Sequence, residues 1–165
     1  MLDEKRAGEF FSIHRVTSND AVEVAILAGQ LISEIIKKTG VQSFDFNLEE
    51  TISRVTHFIK REKYFAFVAR NNSDEAVGFL SLHENHALYA EGAFGTISEL
   101  YVLPKYRSNN IGFSLIARAK FFGIYQGWKR LEVTTPPLPQ FDETLAFYER
   151  EGFTITGGRK LMMTL

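Results

Sequence analysis

Three stretches rich in aromatic and β-branched residues follow one another in the middle of the chain: YFAFVAR (64–70), AVGFLSLHE (76–84) and TISELYVL (96–103). Each has the length and composition of a strand. NNSDE between the first two is turn chemistry, so these two read as a hairpin. The stretch NHALYAEGAFG (85–95) is ambiguous and is read as a long turn. A run of successive strands leaves any fold little choice but a sheet at its centre.

Helical periodicity flanks this run. FFSIHRVT (10–17) reads as a first strand, and Asp20 with Glu23 resembles a capping pair. Val24, Leu27, Leu31 and Ile35 then recur at helical spacing up to Gly40. Asn47 and Glu50 mark a second helix start, with Leu48, Ile52, Val55 and Ile59 as its stripe. Downstream, 112–128 is helical with Leu115, Ala119 and Phe122 on one face, and RLEVTT (130–135) is a short buried strand. PPLPQF makes a rigid loop, and DETLAFYERE (142–151) is a helix capped by Asp142. FTIT and KLMMTL read as a closing strand or hairpin around Gly157-Gly158. The order β-α-α-β-β-β-α-β-α-β predicts an α/β fold with a mixed sheet and helices on both faces. With 165 residues and no linker or repeat, a single domain over 1–165 is expected.

Composition narrows the function classes. A formal charge of -1 disfavours nucleic acid and anionic membrane as partners. No cysteine is present, which removes thiolate metal ligands and a cysteine nucleophile. No apolar run is long enough to span a bilayer, and MLDEKRAGEFF lacks the apolar centre of a signal peptide, so a cytoplasmic protein is expected. His83 and His86 lack the companions a metal site needs, and no metal is assigned. Fifteen phenylalanines predict an aromatic core.

LPKYRSNNIGFSLI (103–116) runs from strand to helix through Arg107, Ser108, Asn109, Asn110 and Gly112. Such a turn leaves backbone N–H groups free at a helix start, where an anion binds well. Asn is second only to Gly in tolerating φ > 0, and Arg adds charge-assisted bonds to phosphate.

VLPKYRSNNIGFSLI, then RLEV, then LAFYEREGF, resembles the GNAT superfamily of acyl-CoA-dependent N-acetyltransferases. There a strand ending in a V-x-P-like segment leads into Arg or Gln-x-x-Gly-x-Gly or Ala. Val102-Leu103-Pro104 and Arg107 to Gly112 occupy this pattern, with Asn110 at the first patterned glycine and Ser108 as a milder departure. Ala146-Phe147-Tyr148-Glu149 followed by Glu151-Gly152-Phe153 is similar to the family's ending. An Asn that many relatives carry after the strand matching 130–135 has no equivalent in TTPPLPQFDET.

The resemblance implies acetyl-CoA as co-substrate, its pyrophosphate on the backbone of Arg107, Ser108, Asn109, Asn110, Ile111, Gly112 and Phe113. It places Leu100, Tyr101 and Val102 beside the pantetheine arm, on a strand that splays from its neighbour. Tyr148 becomes the general acid toward the departing thiolate. Glu99 and Glu132 are unexpected on central strands. Glu99 is the candidate base, and Glu132 is read as a paired structural carboxylate. Alternation would put Glu99 and Tyr101 on the face of Ile97. Without cysteine the transfer is direct, to a primary amine of a small molecule or peptide. The alternative is a CoA-binding regulatory module without turnover. A homodimer is left open. The loops 41–46 and 83–95 would wall the acceptor site with Phe44, Phe46, Tyr89 and Phe94 beside Asp45, Glu84 and Glu91, which suggests a cationic acceptor.

Overall fold

The strand-rich middle of the chain does build the sheet. In a computed structural model that describes residues 9–165, β1 (Ser12–Arg15), β2 (Tyr64–Arg70), β3 (Ala76–Ala87), β4 (Gly92–Val102) and β5 (Leu131–Val133) form one five-stranded sheet in sequence order. The first four strands are antiparallel neighbours, and β5 joins β4 in parallel. The segment 85–95 is therefore not a long turn. β3 and β4 continue through it as a hairpin paired out to Ala87↔Gly92. Its alternation was hidden because Asn85 and His86 are polar and none of Asn85, His86 and Ala87 is β-branched.

Helix α1 (Ala21–Thr39) and helix α2 (Leu48–Lys60) bury Val24, Leu27 and Val55 against Ala66, Val68, Phe79 and Tyr101 on one face of the sheet. Asn47 caps α2 by accepting the Glu50 N–H at 2.9 Å, as its sequence suggests. The start of α1 differs from expectation. The capping box is Thr17 with Asp20, ahead of a short 3-10 turn. Asp20 and Glu23 instead take Arg70 of β2, at 2.7 Å and 2.8 Å. That Arg is nearly buried, so two carboxylates are worth more to the fold around it than a second cap.

The other face of the sheet carries α3 (Ile111–Gln126). Phe122 packs 4.8 Å from Phe65 and 5.7 Å from Phe67, centroid to centroid, with Trp128 edge-on at 5.6 Å. Trp128 donates its indole N–H to Glu84 at 2.6 Å. Its ring lies on Gly95 of β4, where a Cβ would overlap it. The aromatic core predicted from phenylalanine content is this cluster.

The chain divides into a unit ending at Thr134 and a second unit, Thr135–Leu165. The second unit holds α4 (Asp142–Arg150). Asp142 is the first helical residue of α4 and not its cap, which is Phe141. Tyr148 is buried, its ring 5.5 Å from Phe147 and 5.4 Å from Phe153. The expected closing strand is not formed. Gly157 and Gly158 both take the positive φ of a turn, but no described strand pairs with KLMMTL, and Leu161, Met162 and Met163 are exposed. A strand needs a partner edge to persist, whatever its composition.

Candidate active site

The site begins with a one-residue irregularity. Ser81 pairs with Glu99 and Leu82 pairs with Ile97, so Ser98 has no partner across β3. This is a β-bulge, and it rotates the strand beyond it. Ile97 faces α3 with Leu82, whereas Glu99 and Tyr101 face α1 and α2 with Ser81 and Phe79. The simple alternation that grouped Ile97 with Glu99 is thereby corrected. The bulged Ser98 Oγ lies 2.6 Å from His83 Nδ1, which holds the irregularity in place.

Glu99 is braced from two strands. Tyr64 Oη donates to Glu99 Oε2 at 2.8 Å, and Ser81 Oγ donates to the same oxygen. Ser81 in turn accepts the Glu99 backbone N–H at 3.0 Å. Ser81 is fully buried, and this exchange is what satisfies it. Burial first, and the Glu99 carboxylate second, push the Tyr64 hydroxyl well above the ordinary tyrosine range, so it stays a donor. Tyr64 and Ser81 were missed in the sequence. The rule that singled out Glu99, a polar residue in a central strand, applies equally to Ser81 in FLSL.

A cleft of about 440 Å³ opens over Glu99, with Tyr64 and Ser98 also in its lining. His57 and Phe58 of α2 form one wall, His83 adjoins, and Arg61 and Lys63 complete it. Of the two loops expected to wall the acceptor, only His83 contributes. Phe94 is buried, Glu84 is held by Trp128, and Phe46 rests on Gly29 of α1. Tyr89 is exposed, 6.0 Å from the Arg130 guanidinium carbon.

Just past the bulge, β4 loses its second neighbour. Pairing with β5 covers only Gly95, Thr96 and Ile97. Glu99 and Leu103 both turn their N–H groups toward β3, at Ser81 Oγ and Val77 O. Alternation therefore turns the backbone of Leu100 and Val102 to the edge that β5 has left, and that of Tyr101 inward to β3. Of the three residues proposed beside pantetheine, two present backbone to that edge. Tyr101 contributes a buried ring to the core.

The turn into α3 has the backbone its residues suggest. Ser108 and Asn110 both sit at positive φ, 66° and 60°, the conformation glycine adopts most easily. Asn110 makes no side-chain cap, and the first helical bond runs from Ser114 N to Asn110 O. The amides of Ile111, Gly112 and Phe113 precede it and have no partner within the helix. Asn109 braces the turn through Tyr106 O at 3.0 Å. Arg107 is differently employed. Its guanidinium bonds both Glu34 oxygens, at 3.0 Å and 2.6 Å, and Val102 O at 2.9 Å. Its hydrogen bonds, opposed by desolvation, hold the Glu34 carboxyl below its usual range.

Glu132 on β5 lies 3.6 Å from Arg130, a paired carboxylate as read. His83 and His86, three apart on a strand, point to opposite faces, and no metal-ligating cluster occurs among the described residues. Burial keeps the Tyr148 hydroxyl above its ordinary pKa and hence protonated.

The acetyltransferase (GNAT) domain family matches residues 62–155, more than half of the chain, from the start of β2 to just beyond α4. The chain belongs to the GNAT acetyltransferases. It is an acyltransferase by that membership. Solved GNAT structures share the fold at low identity. An aminoglycoside acetyltransferase from an uncultured soil metagenomic sample is 22% identical, with a TM-score of 0.73 over 94% of this chain and 97% of its own. The aminoglycoside N-acetyltransferase AAC(6')-Iy, solved with CoA, is 16% identical, with a TM-score of 0.78 over 96% and 97%. A ribosomal-protein-alanine N-acetyltransferase from Brucella melitensis biovar Abortus 2308 is 17% identical, with a TM-score of 0.72 over 94% and 99%. No curated protein matches this GNAT chain significantly. No described helix of it is long and apolar enough to cross a membrane.

Proposed function

We propose that the chain transfers an acetyl group from acetyl-CoA directly to a primary amine, working as one domain. The observation that carries this reading is Glu99. Tyr64 and Ser81 hold its carboxylate in the cleft lining, at the point where β4 parts from β5. Acetyl-CoA brings an acyl group already activated as a thioester. The amides of Ile111, Gly112 and Phe113 suit its pyrophosphate, and the outward backbone of Leu100 with the Val102 N–H suits the pantetheine amides, the Val102 carbonyl being held by Arg107. Arg107 pins the turn to α1 through Glu34.

An amine with a pKa of about 10 arrives protonated and must lose its proton before attack. Glu99 accepts that proton, directly or through a water. Tyr148, kept protonated by burial, is assigned by the family pattern to donate toward the departing thiolate. The absence of cysteine leaves no acyl-cysteine route, so both substrates are bound together.

The test measures CoA binding by calorimetry and thiol release from acetyl-CoA across a panel of amines. Both are expected. CoA binding without thiol release would favour the regulatory module instead, and loss of both would overturn the reading. Tyr148→Phe should slow single-turnover transfer by roughly 100-fold while CoA affinity is retained. An unchanged rate would remove Tyr148 from the chemistry.

A further inference from the structure

The cleft over Glu99 has opposite charges at different positions. Glu99 is braced at the sheet by Tyr64 and Ser81. Arg61 and Lys63, just beyond the end of α2, contribute the cationic part of the lining. Both are exposed, and neither makes an ion pair among the described residues. Glu62 between them is exposed and takes a positive φ of 52°, and its side chain is not part of the lining. His57 and His83 complete the polar surface, and Phe58 supplies an apolar wall.

Resting on the acetyltransferase reading, we propose that the acceptor is a small amine bearing an anionic group, its amine end at Glu99 and its anion at Arg61 and Lys63. A guanidinium fork and an ammonium are the groups proteins use for carboxylate and phosphate. A volume of about 440 Å³ matches a small molecule. The same two cations repel a polycation, so this cleft is unsuited to the aminoglycosides named for the structural neighbours. The acidic loops that suggested a cationic acceptor contribute none of their carboxylates to it.

The experiment uses ω-amino acids of increasing length, each beside its neutral amide. Aminoalkyl phosphonates, spermidine and a peptide with an acidic first residue complete the set. Thiol release gives kcat/KM with wild type, Arg61→Glu and Lys63→Glu, and calorimetry gives amine binding in the presence of CoA. Both substituted side chains are exposed, so folding should persist, and unchanged CoA affinity checks this. The acid should exceed its amide by about tenfold in wild type, a difference that each variant erases or reverses. Carboxylates against phosphonates identify the anion. Equal use of acid and amide, a preference for spermidine or for the peptide, or variants that leave the ratio unchanged would overturn the proposal. Turnover without discrimination fails the charge inference alone. Discriminating binding without turnover fails the acetyl-transfer reading alone and supports the charge inference.

Discussion

The two halves of β4 belong to one continuous strand and have opposite employment. Gly92–Ile97 lies between two strands near its end, with Gly95 packed under Trp128 and Ile97 buried in the α3 face. Glu99–Val102 keeps only β3 as a partner and presents a carboxylate to a cleft. A single extra residue, Ser98, separates them. The paired half contributes stability through satisfied backbone and packing. The half-paired segment contributes unpaired backbone and a charge that water and ligands can reach. Loss of one neighbour is what turns a core strand into a site.

Four changes would break or sharpen this contrast. Deleting Ser98 should have the largest effect, because it removes the bulge and turns either Glu99 or Ile97 onto the wrong face. Acetyl transfer should fall by about 1,000-fold or more, the scale of a displaced general base. Near-normal turnover from a folded deletion variant would show that the two halves are not distinct. Glu99→Gln comes next. It keeps shape and removes the proton acceptor, so kcat should drop by about 100-fold. Its melting temperature should stay near wild type, and a large drop would mean the carboxylate is structural.

Gly95→Ala tests the paired half. A methyl there overlaps the Trp128 ring and crowds Leu131, so unfolding free energy should fall by about 1–3 kcal/mol. The chemical step should change little, and denaturant titration beside single-turnover kinetics separates the two readouts. Glu34→Gln has the smallest expected effect. Its partially exposed pair with Arg107 is worth about 0.5–1 kcal/mol, and CoA affinity should weaken a few-fold as the turn loosens. The folded Glu34 carboxyl titrates below the 4.5 of an ordinary glutamate. Its contribution is therefore complete above that value and fades as pH falls through the lower folded pKa. Wild type should lose CoA affinity over that acid range, and the Gln variant should not.

Much of this architecture is legible in residue order. The stripes of α1 and α2 and the composition of β2, β3 and β4 each carry their own local signal. So does the turn at 107–113, where Ser108 and Asn110 take the conformation that patterned glycines would. The bulge has no such signal, since Ile97, Glu99 and Tyr101 look evenly spaced until the register with β3 is known. The bracing of Glu99 by Tyr64 needs strands 35 residues apart in the chain, and Arg107 finds Glu34 across 73 residues. Such pairs are set by tertiary register, which no local window contains. The closing strand failed for a different reason: KLMMTL has the composition of a strand but pairs with no described strand, and composition alone does not supply a partner.

Trp128 is the single tryptophan of the chain, and it is pinned where β5 first pairs with β4, two residues before the strands part in a fork. Its ring rests on Gly95, the first β4 residue paired with β5, and its N–H is held by Glu84. Any occupant that spreads or draws together the two strands must alter the surroundings of this one indole. The protein thus carries its own optical gauge, and its emission can follow the fork in real time with no label attached.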